Sequence, residues 1–180
     1  MSARAPHQIR VFTWKEGLLS RVAHDLRLRV ERFTIAGPGD NAGGDLTVEV
    51  DAGSIVVDGV MNGSRCDPDQ LGARDRAKIA ETIRAEILKT RAYPKVVFRG
   101  SVSAGTGVGA RVRVDGTLEL VGVRRSLSLV AVREGERLRG SVTLVPSEFG
   151  IRPYKALAGA IRLRDRVRVD FDLDAVALAL

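Results

Sequence analysis

The last long stretch of the chain, residues 161–173, places the tightest limit on the fold. Its odd-numbered positions are apolar with one interruption, Asp165, and its even-numbered positions are all Arg or Asp. Because successive side chains of a strand point to opposite faces, this alternation predicts one β-strand with an apolar face and a charged face. At about 3.3 Å per residue the strand is roughly 40 Å long, well beyond the usual length of about 5–6 residues. Such a strand predicts a curved antiparallel sheet that closes on itself.

Shorter alternating segments fill most of the remaining chain and predict strands over residues 8–15, 24–35, 46–50, 54–59, 96–103, 110–120, 127–131 and 138–145. The apolar phase changes at Glu31 and Arg32, which predicts a β-bulge there. Only residues 73–89 show helical spacing, with apolar positions at Ile79, Ile83, Ile87 and Leu88. Short connections favour antiparallel neighbours. The pattern therefore predicts an all-β antiparallel barrel of about eight strands with one inserted α-helix, whose interior is either filled or holds one small ligand.

No linker or abrupt change of composition divides the chain, so we expect a single domain over residues 1–180. Only 8 of these residues are aromatic: 5 Phe, 2 Tyr and 1 Trp. The apolar interior must therefore come mainly from Leu, Val, Ile and Ala.

The chain is basic, with a formal net charge of +7 and 29 Lys and Arg residues. A basic surface suits an anionic partner such as nucleic acid. Here the Arg residues alternate with apolar residues along many strands instead of forming one cluster. We therefore favour a solvated outer face and expect no nucleic-acid binding. A basic interaction module that binds a polyanion, with a filled core, remains the alternative.

Residues that could carry catalysis are few: 2 His and 1 Cys, Cys66. A zinc site needs three or four His, Cys or carboxylate ligands. His24 and Asp25 are adjacent in a predicted strand and so point to opposite faces, and no Gly-x-Ser-x-Gly motif supplies a nucleophile. We expect no enzymatic activity, metal or cofactor. His24 is instead interpreted as satisfying a backbone group at the barrel mouth or meeting the polar head of a ligand.

The chain contains no apolar run long enough for a secretory signal near its start and no stretch of 18 apolar residues. These observations predict a cytoplasmic protein without a transmembrane segment. The oligomeric state is left open, with a homodimer as one alternative.

Four short motifs, in order along the chain, resemble those of the YceI-like family. They are Val22-Ala-His24, the Tyr-Pro…Phe segment within residues 92–101, the Gly-x-Leu…Gly-Val pattern of residues 116–123, and Pro146-Ser-Glu-Phe-Gly-Ile151. The resemblance implies a lipocalin-like barrel with a helical insertion. It also implies that a long apolar ligand, typically a polyisoprenoid, lies in an elongated lumen.

We therefore predict a lipid-binding domain that holds a polyisoprenoid or fatty-acid-like ligand by removing its apolar surface from water. The residues expected to line the lumen are Leu26, Leu28, Phe33, Phe98, Leu118, Phe149, Leu163, Val167, Val169 and Phe171. Two residues, His24 and Arg124, are candidates for contact with a polar head group.

Overall fold

The computed structural model describes residues 6–16, 23–37, 45–103, 109–159 and 161–175. These residues form an antiparallel sheet of twelve strands and one short helix. The strands are β1 Gln8–Lys15, β2 Leu26–Val30, β3 Phe33–Ala36, β4 Asp45–Asp51, β5 Ile55–Asn62, β6 Arg65–Asp67, β7 Lys95–Ser103, β8 Arg111–Leu120, β9 Val123–Glu134, β10 Arg137–Leu144, β11 Lys155–Ala156 and β12 Ile161–Asp174. The helix α1 spans Ala73–Thr82.

The hydrogen-bonded order of the strands is β3-β4-β7-β8-β9-β10-β12-β1-β2-β5-β6, and β11 pairs with β12. The predicted all-β antiparallel class with one helix is confirmed. The predicted closed barrel of about eight strands is not confirmed, because among the described strands no ladder joins β3 to β6. The strand number is higher because the segment 24–35 is broken into β2 and β3, and because the short β6 and β11 add two strands.

The chain bends between β2 and β3 and again between β4 and β5, and these two bends are hydrogen-bonded to each other. Between β2 and β3 only Glu31 and Arg32 lie outside a strand, at the position where the change of apolar phase predicted a bulge. A 3-10 turn, Ala52–Ser54, separates β4 from β5. The Arg32 guanidinium donates two hydrogen bonds to Asp51 Oδ2, at 2.9 and 2.8 Å, and so lowers the pKa of that carboxyl. The two bends are thus tied together by a charged side-chain pair as well as by the backbone.

Ser54 is the buried polar residue of this joint, with 2% of its surface exposed. Its hydroxyl accepts a hydrogen bond of 3.0 Å from the Arg32 backbone N–H and donates one of 2.7 Å to the Asp51 carbonyl. A Ser54→Ala substitution leaves both backbone groups without this partner. We expect it to lower the free energy of unfolding by about 1–2 kcal/mol, as measured by urea denaturation. Ser126→Ala, at an exposed position of β9, is the control; equal stabilities of the two variants would contradict this role of Ser54.

The helix lies against β5. It runs as α1 to Thr82 and continues as a π-helical turn over Ile83–Ile87, which confirms the helix predicted over residues 73–89. The Arg84 guanidinium donates to the Ile55 backbone carbonyl at 2.7 and 3.2 Å. This charged hydrogen bond attaches the end of the helix to the first residue of β5.

The 14-residue strand β12 is the longest of the sheet and pairs with β10 on one side and with β1 on the other. The structure accounts for the single break in its apolar face. Asp165 Oδ1 accepts a hydrogen bond of 2.9 Å from the backbone N–H of Ser147, the second residue of the 3-10 turn Pro146–Phe149. Asp165 therefore provides a hydrogen-bond acceptor for a backbone N–H at the start of a turn that packs beside β12.

In the part of the chain that the structure describes, no helix is long and apolar enough to cross a membrane.

Candidate ligand-binding cavity

The inner faces of the curved sheet surround a cavity of about 730 Å³. Its lining comes from the strands, from the helix and from the segment that precedes β12. Most of the lining side chains are Leu, Val, Ile and Ala. The volume falls in the range of about 300–1,000 Å³ that is typical of sites for small molecules.

The strands supply this lining by their period of two. All seven odd-numbered residues of β12 from Ile161 to Leu173 line the cavity. On β9 the lining residues are Leu127, Leu129 and Ala131, which also share one parity. Alternation therefore identifies the cavity face of a strand wherever the strand is long enough to show it.

Two phenylalanine rings lie directly over glycines of neighbouring strands. A Cβ built on Gly116 would lie 2.7 Å from the Phe98 Cζ atom, and one built on Gly140 would lie 2.3 Å from the Phe171 Cζ atom. A glycine inside a strand permits such a close approach because it has no side chain. Each ring thus occupies the space that the side chain of a residue other than glycine would fill at position 116 or 140.

The helix closes one side of the cavity. Ile79, Ile83, Ile87 and Leu88 line the cavity. All of them except Ile87 also pack against the cluster of buried residues that includes Leu28 and Val57. The spacing of these residues predicted the helix and its apolar stripe. Sequence reasoning did not assign them to the site, because the stripe alone does not say whether it faces a packed core or an open lumen.

The polar part of the lining consists of Thr13, His24, Asp51, Lys78, Thr82, Arg152, Tyr154, Arg164 and Asp165. Three contacts place most of these residues at one end of the sheet. The Leu163 backbone N–H donates to the Tyr154 carbonyl at 3.1 Å, Leu163 is the register partner of Lys15, and the Lys15 N–H donates to Asp25 Oδ1 at 2.8 Å. Among the described residues, Lys78, Arg152 and Arg164 have no carboxylate within ion-pair distance. Arg152 and Arg164 therefore place positive charge at this end of the cavity, and Asp165, which accepts a hydrogen bond from the Ser147 backbone N–H, is the carboxylate of the lining beside them.

Nine of the predicted site residues lie on the cavity surface. They are His24, Leu26, Leu28, Phe98, Leu118, Leu163, Val167, Val169 and Phe171. Contact of these residues with a ligand stays a prediction.

The other three predicted residues do not line the cavity. Phe33 is the first residue of β3, next to the bend at Arg32, and is only half-buried. Phe149 is the last residue of a 3-10 turn and is buried, with 3% of its surface exposed, in the hydrophobic cluster that also contains Val112. The expectation that these two rings face the lumen is therefore corrected.

Arg124 is also placed differently from the expectation. Its side chain is 73% exposed and donates a hydrogen bond of 2.7 Å to Glu119 across the turn between β8 and β9. These two residues are register partners, so the pairing holds the guanidinium on the outer face. Among the described arginines, Arg152 and Arg164 are the ones that border the cavity. Both are exposed, and Arg164 has the even parity of the outer face of β12, so it borders the cavity at the rim.

Within the described ranges no three His, Cys, Asp or Glu side chains come together as a metal site would require. His24, the histidine at the cavity, has apolar neighbours in the lining, namely Ala23 and Leu26. The chemistry that the lining supports is burial of an apolar molecule with a polar contact at one end.

The Tyr-Pro and Gly-Val motifs of the sequence meet in space. Gly122 has a φ of +74°, and a Cβ at this residue would lie 2.7 Å from Cε1 of the Tyr93 ring. The tyrosine thus packs on the turn between β8 and β9, so the two motifs are in contact in the fold.

Comparison with known proteins agrees with this arrangement. The family model of the YceI-like domain matches residues 5–175. The fold is similar to that of BcnA from Burkholderia cenocepacia, with 14% sequence identity, a TM-score of 0.61 and coverage of 92% of this chain and 94% of that chain. It is also similar to a polyisoprenoid binding domain from Saccharophagus degradans that is implicated in plant cell wall breakdown, with 14% identity, a TM-score of 0.60 and coverage of 92% and 91%. The YCEI protein of Campylobacter jejuni aligns with 12% identity, a TM-score of 0.51 and coverage of 83% and 84%. Among proteins with curated descriptions, no match was found.

Proposed function

Since this chain belongs to the YceI-like domain family, we propose that it binds a long apolar molecule, polyisoprenoid or fatty-acid-like, in the cavity and performs no catalysis on it. The observation that carries the proposal is the apolar lining of a cavity of about 730 Å³. Support also comes from the similar fold of the polyisoprenoid binding domain of Saccharophagus degradans. Burial of apolar ligand surface contributes roughly 25 cal/mol per Å², less the cost of ordering the chain.

In this proposal the sheet forms a closed ring of eight strands. The count treats β2 and β3 as one bent strand and β4 and β5 as another, joined at Arg32 and Asp51. The remaining members are β7, β8, β9, β10, β12 and β1, in ladder order. A ring of eight leaves an interior wide enough for one small ligand. On this view the whole chain acts as one lipid-binding domain.

The direct test is mass spectrometry of an organic extract of the purified protein. The proposal expects a stoichiometric amphiphile with a long hydrocarbon chain. Titration of the delipidated protein with saturated chains of increasing length should then show affinity that rises until the cavity is full. A protein that carries no lipid and binds none of these chains would refute the proposal.

The polar end of the ligand is proposed to lie near His24, Arg152 and Arg164. These arginines line the cavity and lack a carboxylate partner among the described residues. The double variant Arg152→Gln/Arg164→Gln should weaken binding of a long-chain carboxylate by about fivefold, since an exposed charge contact contributes about 0.2–1 kcal/mol. Binding of the alcohol of the same chain length should change little, as measured by competition fluorimetry.

The matched control for this pair is Arg162→Gln/Arg166→Gln, which removes the same charge from exposed positions of β12. If the control lowers carboxylate affinity as much as the double variant does, the effect is general charge attraction and the head-group assignment is wrong.

No observation favours the alternative of a polyanion-binding module. On the outer face, arginines of β2 and β10 pair with carboxylates of neighbouring strands: Arg27 and Arg29 with Asp58, and Arg137 and Arg139 with Asp172. Much of the outer charge is therefore balanced locally.

A further inference from the structure

Strands β9 and β10 separate before either of them ends. They pair only over Arg137–Gly140 against residues 131–134, and the last partners are Gly140 and Ala131. Beyond this point β10 still pairs with β12 as far as Leu144, and β9 still pairs with β8 as far as Val123. Residues 127–130 and 141–144 thus form two facing strand edges that no ladder joins. We call this gap the β9–β10 seam.

The seam contains a second cavity of about 400 Å³. Its lining comes from β8, β9 and β10: Arg113, Leu127, Ser128, Leu129, Val130, Ser141, Val142 and Thr143. Three of these side chains, those of Leu127, Leu129 and Val142, also line the main cavity. The same apolar side chains therefore bound the interior on one side and the seam on the other.

At the outer rim of the seam, side chains of β8 make contacts with β9. The Arg113 guanidinium pairs with Asp115 at 2.7 Å, and Asp115 also accepts a hydrogen bond from the Ser128 hydroxyl. These contacts attach β9 to β8 and leave β10 unattached across the gap. Val130, on the same rim, is 48% exposed and gives the gap an apolar edge.

A ladder that simply continued would be expected here, because unpaired backbone groups in a dry wall are costly. The wall is therefore wet or open at this position. The side chains between the gap and the interior are two leucines and a valine, and a leucine side chain exchanges between rotamers on a fast timescale. The seam is polar at its outer rim, where Arg113, Ser128, Ser141 and Thr143 lie, and apolar towards the interior. An apolar chain that passes the rim meets side chains that can move, and no hydrogen-bonded ladder between β9 and β10 must break.

From this geometry we infer that the β9–β10 seam is the lateral passage by which the hydrocarbon chain of the ligand reaches the cavity. The inference rests on the proposed function and adds the route to it. It assigns the polar end near Arg152 to holding the head group and the seam to admitting the tail.

The test closes the seam with a reversible cross-link. Continuing the register past Gly140 and Ala131 places Thr143 opposite Ser128, and both side chains are exposed. The variant Ser128→Cys/Thr143→Cys is made with Cys66→Ser, so that no native thiol interferes. Its thiols are joined by oxidation, or by a short bis-thiosulfonate linker if the gap exceeds the Cα separation of about 4.4–6.8 Å that a disulfide spans. The control is Val132→Cys/Arg139→Cys, which cross-links register partners within the paired part of the same two strands.

The probe is cis-parinaric acid, and the measurement is its release rate by stopped-flow fluorescence. We expect cross-linking at the seam to slow release at least tenfold, with recovery on reduction, and cross-linking of the control to change the rate less than twofold. Equal rates before and after closure of the seam, with binding intact, would overturn the passage and leave the proposed function standing. Failure of the uncross-linked protein to bind the probe would instead refute the proposed function, and the passage with it.

Discussion

Replacement of Val169 by Trp should weaken binding of the longest chains roughly 50-fold while leaving the empty protein almost as stable as before. Val169 lies on the cavity face of β12, between its register partners Val11 and Val142, which also line the cavity. An indole at this position occupies space that the ligand would fill. If it displaces about three methylene groups at about 0.8 kcal/mol each, affinity falls roughly 50-fold.

The measurement pairs thermal unfolding with binding titrations over a series of chain lengths. Shorter chains should keep their affinity, so the optimum shifts to shorter ligands. Arg166→Trp adds the same ring at an exposed position of the same strand and should alter neither property. The contrary result is that Val169→Trp lowers the free energy of unfolding by about 1–3 kcal/mol, as overpacking of a dense core does, and that neither the wild type nor the variant binds lipid. The interior is then filled and the carrier interpretation fails.

The largest loss of stability is expected from Gly116→Ala. Gly116 faces Gly100 across the β7–β8 ladder, and a Cβ at residue 116 would lie 2.3 Å from the Arg99 carbonyl oxygen and 2.6 Å from the Gly100 Cα. Both of these are backbone atoms, so relief requires the strands to move apart. We expect a loss of about 3 kcal/mol, or a fall in Tm of roughly 6–12 °C for a chain of this size.

Gly72→Ala is the matched control, since the nearest atom to a Cβ at that residue is Asp75 Oδ2 at 3.7 Å, an ordinary contact. It should shift Tm by only about one to four degrees, because replacing a glycine by alanine at a helix N-cap costs roughly 0.5–1 kcal/mol. Calorimetry of both variants decides the point. A Gly116→Ala protein with the Tm of the wild type would show that β7 and β8 move apart at little cost, and that their close approach does not limit the residue at position 116.

Alternation predicted the part of the cavity that straight strands build. Val167, Val169 and Phe171 were placed on the lining because β12 keeps one phase over 14 residues, apart from the interruption at Asp165. Phe149 could not be placed in this way, since a 3-10 turn of four residues has no period that distinguishes core from lumen. Phe33 was misplaced because it is the first residue after the bend, where the alternation of the preceding strand no longer predicts which face a side chain is on.

The separation of β9 from β10 left no trace in the sequence. Leu127 and Leu129 alternate as regularly as residues of β9 that are paired on both sides, because alternation records which face of one strand is apolar. It carries no information on whether a neighbouring strand is bonded to that edge. The contribution of the helix to the lining was missed for a similar reason: the stripe at Ile79 and Ile83 indicates an apolar surface and does not identify what lies opposite it.

The Phe171 ring that lies over Gly140 makes these two residues a single steric unit, because the atoms nearest to a Cβ at Gly140 all belong to that ring. A side chain gained at the glycine must be matched by a smaller residue in place of the ring, because both occupy the same volume. Substitutions at these two positions should therefore be tolerated mainly in compensating pairs. Across homologous sequences, we expect the residue at position 140 to covary in size with the residue at position 171. The capacity of the cavity would then change in a discrete step, while the backbone of the sheet stays the same.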